Sequence, residues 1–151
     1  MFNPAFAAIT LRAAAVGHSS AAAEGLPFSL AFLVLPLVFH AGTRSELPRS
    51  VSTSMPAWLT QHALVREEFA SRVTALAPVV REAVAFGLAS RVLSVQSGAR
   101  LVADRTLPKR LREAVDDGDV DDIVKRAHFV GRWLGNAGSA TTVYALWGIR
   151  P

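Results

Sequence analysis

An almost uniformly apolar run, LPFSLAFLVLPLVF at residues 26–39, is the feature that most restricts how this chain can fold. Water solvates such a segment poorly, so it has to lie either in a membrane or in a protein core. A membrane-spanning helix needs about 20 apolar residues, whereas this run has 14 and carries prolines at positions 27 and 36. No basic segment precedes it, as one would in a secretory signal peptide. We therefore expect no membrane span but a buried helix over residues 27–40, bent or interrupted at Pro36.

The overall composition also points to a chain that has apolar surface to cover. Hydrophobic residues make up 51% of the 151 residues, and charged residues only 19%, against about 25% in an average soluble protein. A core alone does not explain this shortfall of charge. Either apolar surface is exposed, or a partner covers it.

Two further properties of the composition limit the chemistry of the chain. It has no cysteine, which excludes disulfides, thiolate catalysis and cysteine zinc sites and fits the reducing cytoplasm, where we expect the protein. The net charge of +4 comes almost entirely from arginine, because lysine occurs only at Lys109 and Lys125. Arginine suits protein interfaces as well as nucleic acid, and an arginine-rich composition can also follow from genomic base composition. Net charge alone therefore does not indicate nucleic-acid binding.

Residues 1–42 are predicted to form N-terminal helices. Asn3 followed by Pro4 is a favourable helix start, because asparagine caps the first amides and proline fits the first turn. Apolar residues then recur at the spacing of one helix face. We expect residues 17–25, which are small and polar, to form a loop, and residues 41–54 to form a connector.

Residues 52–104 show the element order of a winged helix-turn-helix. Pro56 opens a short helix, and an apolar stripe predicts a second helix that ends at Pro78. A third helix follows to Ser90, after which residues alternate around a Gly98 turn, as in a short β-hairpin. Three helices and a hairpin can also be arranged in other ways, but a winged-helix core is the interpretation we favour.

Residues 105–151 are expected to complete a mainly α (α+β) fold. A helix is predicted to begin near Pro108, and a longer one to span about residues 120–135. The β-branched and aromatic residues of Thr141–Trp147 predict a C-terminal strand. We interpret the whole chain, residues 1–151, as a single domain.

No group of residues carries a recognisable catalytic, cofactor-binding or metal-binding pattern. None of the four histidines stands four residues from another, and the aspartates of 116–122 lack the spacing and closing glutamate of a calcium loop. The glycines form no phosphate-binding motif; Gly131, Gly135 and Gly138 instead indicate close helix packing followed by a helix end. An enzyme would need His128 and the aspartates to converge in one pocket, so we expect no catalytic residue, cofactor or metal.

Contact with nucleic acid is the functional hypothesis that the cations allow. If residues 52–104 form a winged helix, residues 78–90 would be its recognition helix, and they offer few side chains that read bases. A winged helix that contacts phosphate without sequence specificity, or one that is purely structural, is the better interpretation. The residues we expect to make such contacts are Arg81, Arg100, Arg105, Lys109 and Arg110, with Arg112 beside them.

Several short segments, taken in order, resemble a known family. They include Asn3-Pro4-Ala5-Phe6 at the start, Leu26-Pro27-Phe28 leading into Leu33–Val38, Leu47-Pro48-Arg49-Ser50 in the connector, Arg126–Ala140, and Trp147-Gly148-Ile149-Arg150-Pro151 at the end. Together they cover nearly the whole chain, which resembles the middle component of three-component ABC ATPase systems.

The resemblance implies a function that the residues alone do not. Members of this family are encoded between an ABC-type ATPase and a third subunit in bacterial loci that look like defence systems against phages and mobile elements. The chain would then be a non-catalytic adaptor that joins these two partners, can also pair with itself, and acts near DNA. Within the resembling segments we expect Trp133, Trp147 and Arg150 to contact a partner. The alternative interpretation is a stand-alone winged-helix DNA-binding protein or regulator.

Overall fold

The computed structural model describes residues 3–104, 106–114 and 118–150, and this part of the chain is mainly helical. Its helices are α1 (Pro4–Ala22), α2 (Phe28–Phe39), α3 (Ala41–Glu46), α4 (Met55–Gln61), α5 (Ala63–Ala89), α6 (Lys109–Ala114), α7 (Gly118–Ala137) and α8 (Ala140–Trp147). Its strands are β1 (Leu26–Pro27), β2 (Leu93–Gln96) and β3 (Arg100–Ala103), which form one antiparallel sheet in the order β1-β3-β2.

Helix α1 begins as the sequence predicts but runs further. The side chain of Asn3 accepts a hydrogen bond from the amide of Ala5, with Pro4 in the first turn. The helix continues to Ala22 and ends where Ala23 adopts a left-handed conformation with φ 59°. The loop predicted at residues 17–25 is therefore wrong over most of its length, because Gly17 and the residues after it belong to the helix.

Close packing of α1 against α7 explains why glycines occur within both helices. A Cβ on Gly131 would collide with the carbonyl oxygen of Ala14, and a Cβ on Gly17 would collide with that of His128. A Cβ on Gly135 would lie 2.9 Å from the Cβ of Ala21. The two backbones thus approach each other where glycine leaves room, which confirms the helix packing predicted for Gly131 and Gly135.

Helix α2 is the apolar run that the sequence analysis assigned to the core. Residues 33–38 are all buried, and Pro36 lies inside the helix without ending it. A helix that is apolar on every side needs neighbours on every side, and α2 contacts α1, α3, α5 and α7. Within the described residues, no helix combines the length and the apolar character needed to cross a membrane.

The connector after α2 is partly helical, and side-chain donors hold it to the rest of the fold. It contains α3, and Arg126 on α7 donates to the carbonyl oxygen of Pro48 at 2.6 Å. The indole nitrogen of Trp58 donates to the backbone carbonyl of Glu46 at 2.9 Å, and that of Trp133 donates to the backbone carbonyl of Thr53 at 2.8 Å. These bonds give hydrogen-bond partners to three backbone carbonyls of the connector.

Residues 52–104 contain the predicted hairpin but not the predicted three helices. The second and third predicted helices are one continuous helix, α5, which passes through Pro78. Pro78 is exposed, so water can bond the one carbonyl that its missing amide leaves free, and the helix tolerates it. Strands β2 and β3 pair antiparallel as predicted. Because no separate recognition helix begins at Pro78, the winged-helix core is not confirmed.

The C-terminal segment is a helix, α8, where the β-branched residues predicted a strand at Thr141–Trp147. The side chain of Ser139 accepts from the amide of Thr142 and caps the helix start. Helical spacing then buries Val143, Tyr144 and Trp147 together. The predicted strand is wrong because burial of this face outweighs the weak local preference for a strand.

Candidate interaction surface

A groove lies between the end of α2 and the first half of α5. It consists of two neighbouring clefts that share His40 and Arg72 in their walls. We call it the α2–α5 groove. The first cleft, of about 330 Å³, has both polar and apolar side chains in its walls and is bounded by α3 and the α4–α5 junction. The second, of about 180 Å³, is almost entirely apolar and is lined further by Pro36, Phe39, Ala75 and Leu76.

Hydrogen bonds within the fold fix the polar wall of this groove. The guanidinium of Arg72 donates to the hydroxyl of Thr43 at 2.6 Å and to the carboxylate of Glu68 at 3.0 Å. On the opposite wall, Nε2 of His62 lies 3.8 Å from the carboxylate of Glu46. Both carboxylates are more than half exposed, so they remain available to a cation from outside.

Exposed apolar surface is present at the rim of the same groove. Leu64, on the first turn of α5, is 66% exposed, the largest value among the exposed large hydrophobic residues. The first half of α5 buries only Phe69 completely. This half-helix therefore lies on the surface, and Leu64 has little of its own fold to pack against.

Another cleft, of about 450 Å³, lies where the end of α1 meets the start of α8. It contains Arg100, one of the residues predicted to contact phosphate. The guanidinium of Arg100 pairs with Glu24 at 3.2 Å and donates to the carbonyl of Gly25 at 3.1 Å. Nδ1 of His18 donates to the carbonyl of Glu24 at 3.0 Å. These bonds hold the loop after α1 against the sheet, which is a structural use of both side chains.

Three of the other cations predicted to contact phosphate lie on helices α5 and α6. Arg81 is exposed on α5, and Lys109 and Arg110 are exposed on α6. Lys109 lies 3.8 Å from Glu113 on the same helix. Arg105 lies outside the described residues. Contact of these side chains with nucleic acid stays a prediction.

The aromatic residues predicted to contact a partner lie in the core of the chain itself. Trp133 and Trp147 are 1% and 2% exposed. Both rings pack against Trp58 in one aromatic cluster, which leaves them no surface to offer. Of the three residues predicted to contact a partner, only Arg150 is exposed. Sequence reasoning missed Leu64 as a surface residue. The signal that could have identified it is an apolar side chain on a helix that is rich in charged residues.

The acidic residues and histidines that the structure describes form no metal-binding cluster. Within residues 3–104, 106–114 and 118–150, no three His, Cys, Asp or Glu side chains are placed to hold a metal ion. Of the aspartate cluster, Asp121 pairs with Lys125 at 2.7 Å and Asp122 with Arg44 at 3.1 Å. Asp116 and Asp117 lie outside the described residues.

His128, the histidine an enzyme would have needed, is half-buried on α7. Burial, and secondarily the positive charge of Arg132, lower the pKa of His128 below its ordinary value. The unfolded chain therefore binds a proton at a higher pH, near 6.5, than the folded chain does. The stability that neutral His128 contributes is present above this value and is lost as the pH falls below it.

We expect the variant His128→Gln to lose less stability than the wild type when the pH falls from 7.5 to 5.5. These two values lie on either side of the ordinary histidine pKa of about 6.5. The measurement is the urea midpoint of both proteins at both pH values. Equal losses in the two proteins would show that protonation of His128 does not oppose folding.

The described part of the chain is mainly helical. The polar side chains discussed above mostly form hydrogen bonds within the fold itself, and the clefts are open grooves. The family model for the ABC-three component (ABC-3C) system Middle Component 3 matches residues 1–151. The chain therefore belongs to this family and is a middle component of a three-component ABC system, as the resemblance indicated. No curated protein and no solved structure matches the chain.

Proposed function

We propose that this chain is a non-catalytic adaptor that links the ABC-type ATPase of its system to the third subunit, in a bacterial complex that acts against phages and other mobile elements. The observation that carries the proposal is the match of the whole chain, residues 1–151, to a middle-component family. A system with a middle component implies partners from the same locus. The excess of apolar residues supports partner binding, because 51% hydrophobic residues is high for a chain of 151.

The α2–α5 groove is the surface we propose for one of these partners. Its apolar cleft, beside Phe39 and Leu76, suits an apolar anchor side chain, since buried anchors supply most of the affinity of an interface. The adjoining cleft, which is bounded by α3 and the α4–α5 junction, carries the exposed carboxylates of Glu46 and Glu68. The fitting segment therefore has an apolar anchor with a basic residue next to it.

The variant Leu64→Asp tests this groove. We expect it to weaken the complex with the partner subunits by about tenfold or more, because it places a charge where an apolar contact is desolvated. Leu64 is 66% exposed, so the isolated chain should keep its thermal stability. The measurement is co-purification of the tagged chain with its co-expressed partners, followed by a titration of the strongest one.

Val95→Asp is the matched control, because Val95 is an apolar side chain on the hairpin, 53% exposed and outside the groove. It should bind partners as the wild type does. Equal binding by wild type and both variants would remove the groove from the proposal. Failure of the wild-type chain to bind either subunit would remove the adaptor role itself.

A further inference from the structure

The outer face of α5 differs from an ordinary solvent-exposed helix face. An exposed helix normally turns charged side chains outward. On α5, the exposed residues at helical spacing between Glu67 and Arg81 are Ala70, Thr74 and Pro78. We call the line from Glu67 to Arg81 the α5 outer face. Its centre is free of charge, and its ends carry charges of opposite sign.

The two charges are placed symmetrically and have no ion-pair partner. Glu67 precedes Thr74 by seven residues and Arg81 follows it by seven, a distance of about 10 Å along the helix in each direction. Within the described chain neither side chain forms an ion pair; the guanidinium of Arg81 lies 5.7 Å from the ring centroid of Phe32. A partner surface that carries its two charges in the reverse order could therefore pair with both Glu67 and Arg81.

A second copy of this chain, laid antiparallel on the first, has that reverse order. With a twofold axis at Thr74, Glu67 of each copy lies opposite Arg81 of the other, so two ion pairs form at once. The small side chains of Ala70, Thr74 and Pro78 meet at the centre and let the two helices approach closely. An interface of this kind, in which the same patch serves both subunits, is the commonest arrangement in soluble homodimers.

The same antiparallel arrangement brings an exposed apolar side chain of each copy to a cleft of the other. Leu88, on the outer side of α5, is 38% exposed and follows Thr74 by 14 residues. In the antiparallel pair it reaches about one helical turn beyond Ala63 of the other copy. A cleft of about 440 Å³ lies there, lined among others by Pro56, Leu59 and Ala63. Each copy therefore offers both an apolar side chain and a site to receive it.

We propose that the chain forms a homodimer through the α5 outer face, with α5 antiparallel to its copy and Glu67 paired with Arg81. This inference does not depend on the adaptor role, because it concerns the isolated chain. The α2–α5 groove is lined by other residues of α5, among them Val65, Arg72 and Leu76, so the proposed dimer would leave it open.

Cross-linking tests the position of the twofold axis directly, because the chain has no cysteine of its own. In the variant Thr74→Cys, the two introduced thiols lie across the axis from each other, within the Cα separation of about 7 Å that a disulfide needs. Mild oxidation should convert most of the protein to a covalent dimer. Gln96→Cys, at an exposed hairpin position, should remain largely monomeric. Equal cross-linking of both variants would overturn the proposed face.

Charge reversal tests the pairing, with dimerisation measured by light scattering at low salt. Glu67→Arg and Arg81→Glu each set like charges opposite one another twice, so each should weaken the dimer by about tenfold. The double variant restores both pairs and should return to the wild-type affinity. A wild-type chain that stays monomeric at its highest soluble concentration, or a double variant no better than the singles, would overturn the proposal.

Discussion

Gly131→Ala is expected to destabilise the fold more than any other single change described above. The new Cβ would collide with the carbonyl oxygen of Ala14, and a backbone atom cannot turn aside as a side chain can. To relieve the collision, α7 would have to move away from α1, and these two helices share the most extensive contact in the fold. Overpacking of this kind costs about 3 kcal/mol, well above the roughly 1 kcal/mol that alanine gains in helix propensity.

Gly118→Ala is the matched control for this prediction. Gly118 opens the same helix, and nothing lies within 4 Å of a Cβ placed there. Its replacement should leave stability unchanged or raise it by up to about 1 kcal/mol. The measurement is the urea midpoint of both variants and the wild type. If Gly131→Ala unfolds at the wild-type midpoint, the close approach of α1 and α7 is not a feature of the protein in solution.

The second large effect is expected from two tryptophans that differ in one hydrogen bond. Trp133 and Trp147 are both buried. The indole nitrogen of Trp133 donates to the backbone carbonyl of Thr53 at 2.8 Å, whereas that of Trp147 is buried with no hydrogen-bond partner among the described residues.

Replacement of either tryptophan by phenylalanine removes the same atoms from each site, so both variants lose packing. Trp133→Phe also breaks a bond, while Trp147→Phe removes an unpaired buried donor. We therefore expect Trp133→Phe to be the more destabilising by about 1–2 kcal/mol.

The same pair of variants separates a core role from a partner role. Thermal unfolding of the isolated chain should report the difference between Trp133→Phe and Trp147→Phe. If both variants unfold like the wild type but no longer bind the partner subunits, the tryptophans contact a partner, as the sequence first indicated, and the buried cluster is incorrect.

The parts of the fold that follow from local rules could be predicted from the sequence. The cap at Asn3, the buried helix over the apolar run at 26–39 and the hairpin around Gly98 each depend on residues close together in the chain. The long helix predicted at about residues 120–135 is α7. In each case one short segment contains both the signal and its physical cause.

The errors arose where contacts between distant segments overrule local preference. Proline predicted a break at Pro78, but α5 is held on both sides of that residue by its packing. Glycine predicted a loop from Gly17, yet its missing side chain is what admits the backbone of His128. The β-branched residues after Ser139 predicted a strand, but they form a helix that buries Tyr144, whose hydroxyl donates to the carbonyl of Ser29 at 2.6 Å.

The candidate surface was less accessible to sequence reasoning than the fold. The α2–α5 groove joins Phe39 to Leu76, which are far apart in the chain, so no motif marks it. Trp133 and Trp147 were expected to contact a partner because they lie within the resembling segments, but neighbours that are distant in the chain bury them. The excess of apolar residues did indicate a partner surface, and it could not say where that surface lies.

The most direct test of the adaptor role is native mass spectrometry of the ABC-type ATPase and the third subunit, purified with and without this chain. The adaptor role predicts that the two subunits appear in one complex only when the chain is present, and that the complex contains all three components. A stable complex of the ATPase with the third subunit in the absence of the chain would contradict it.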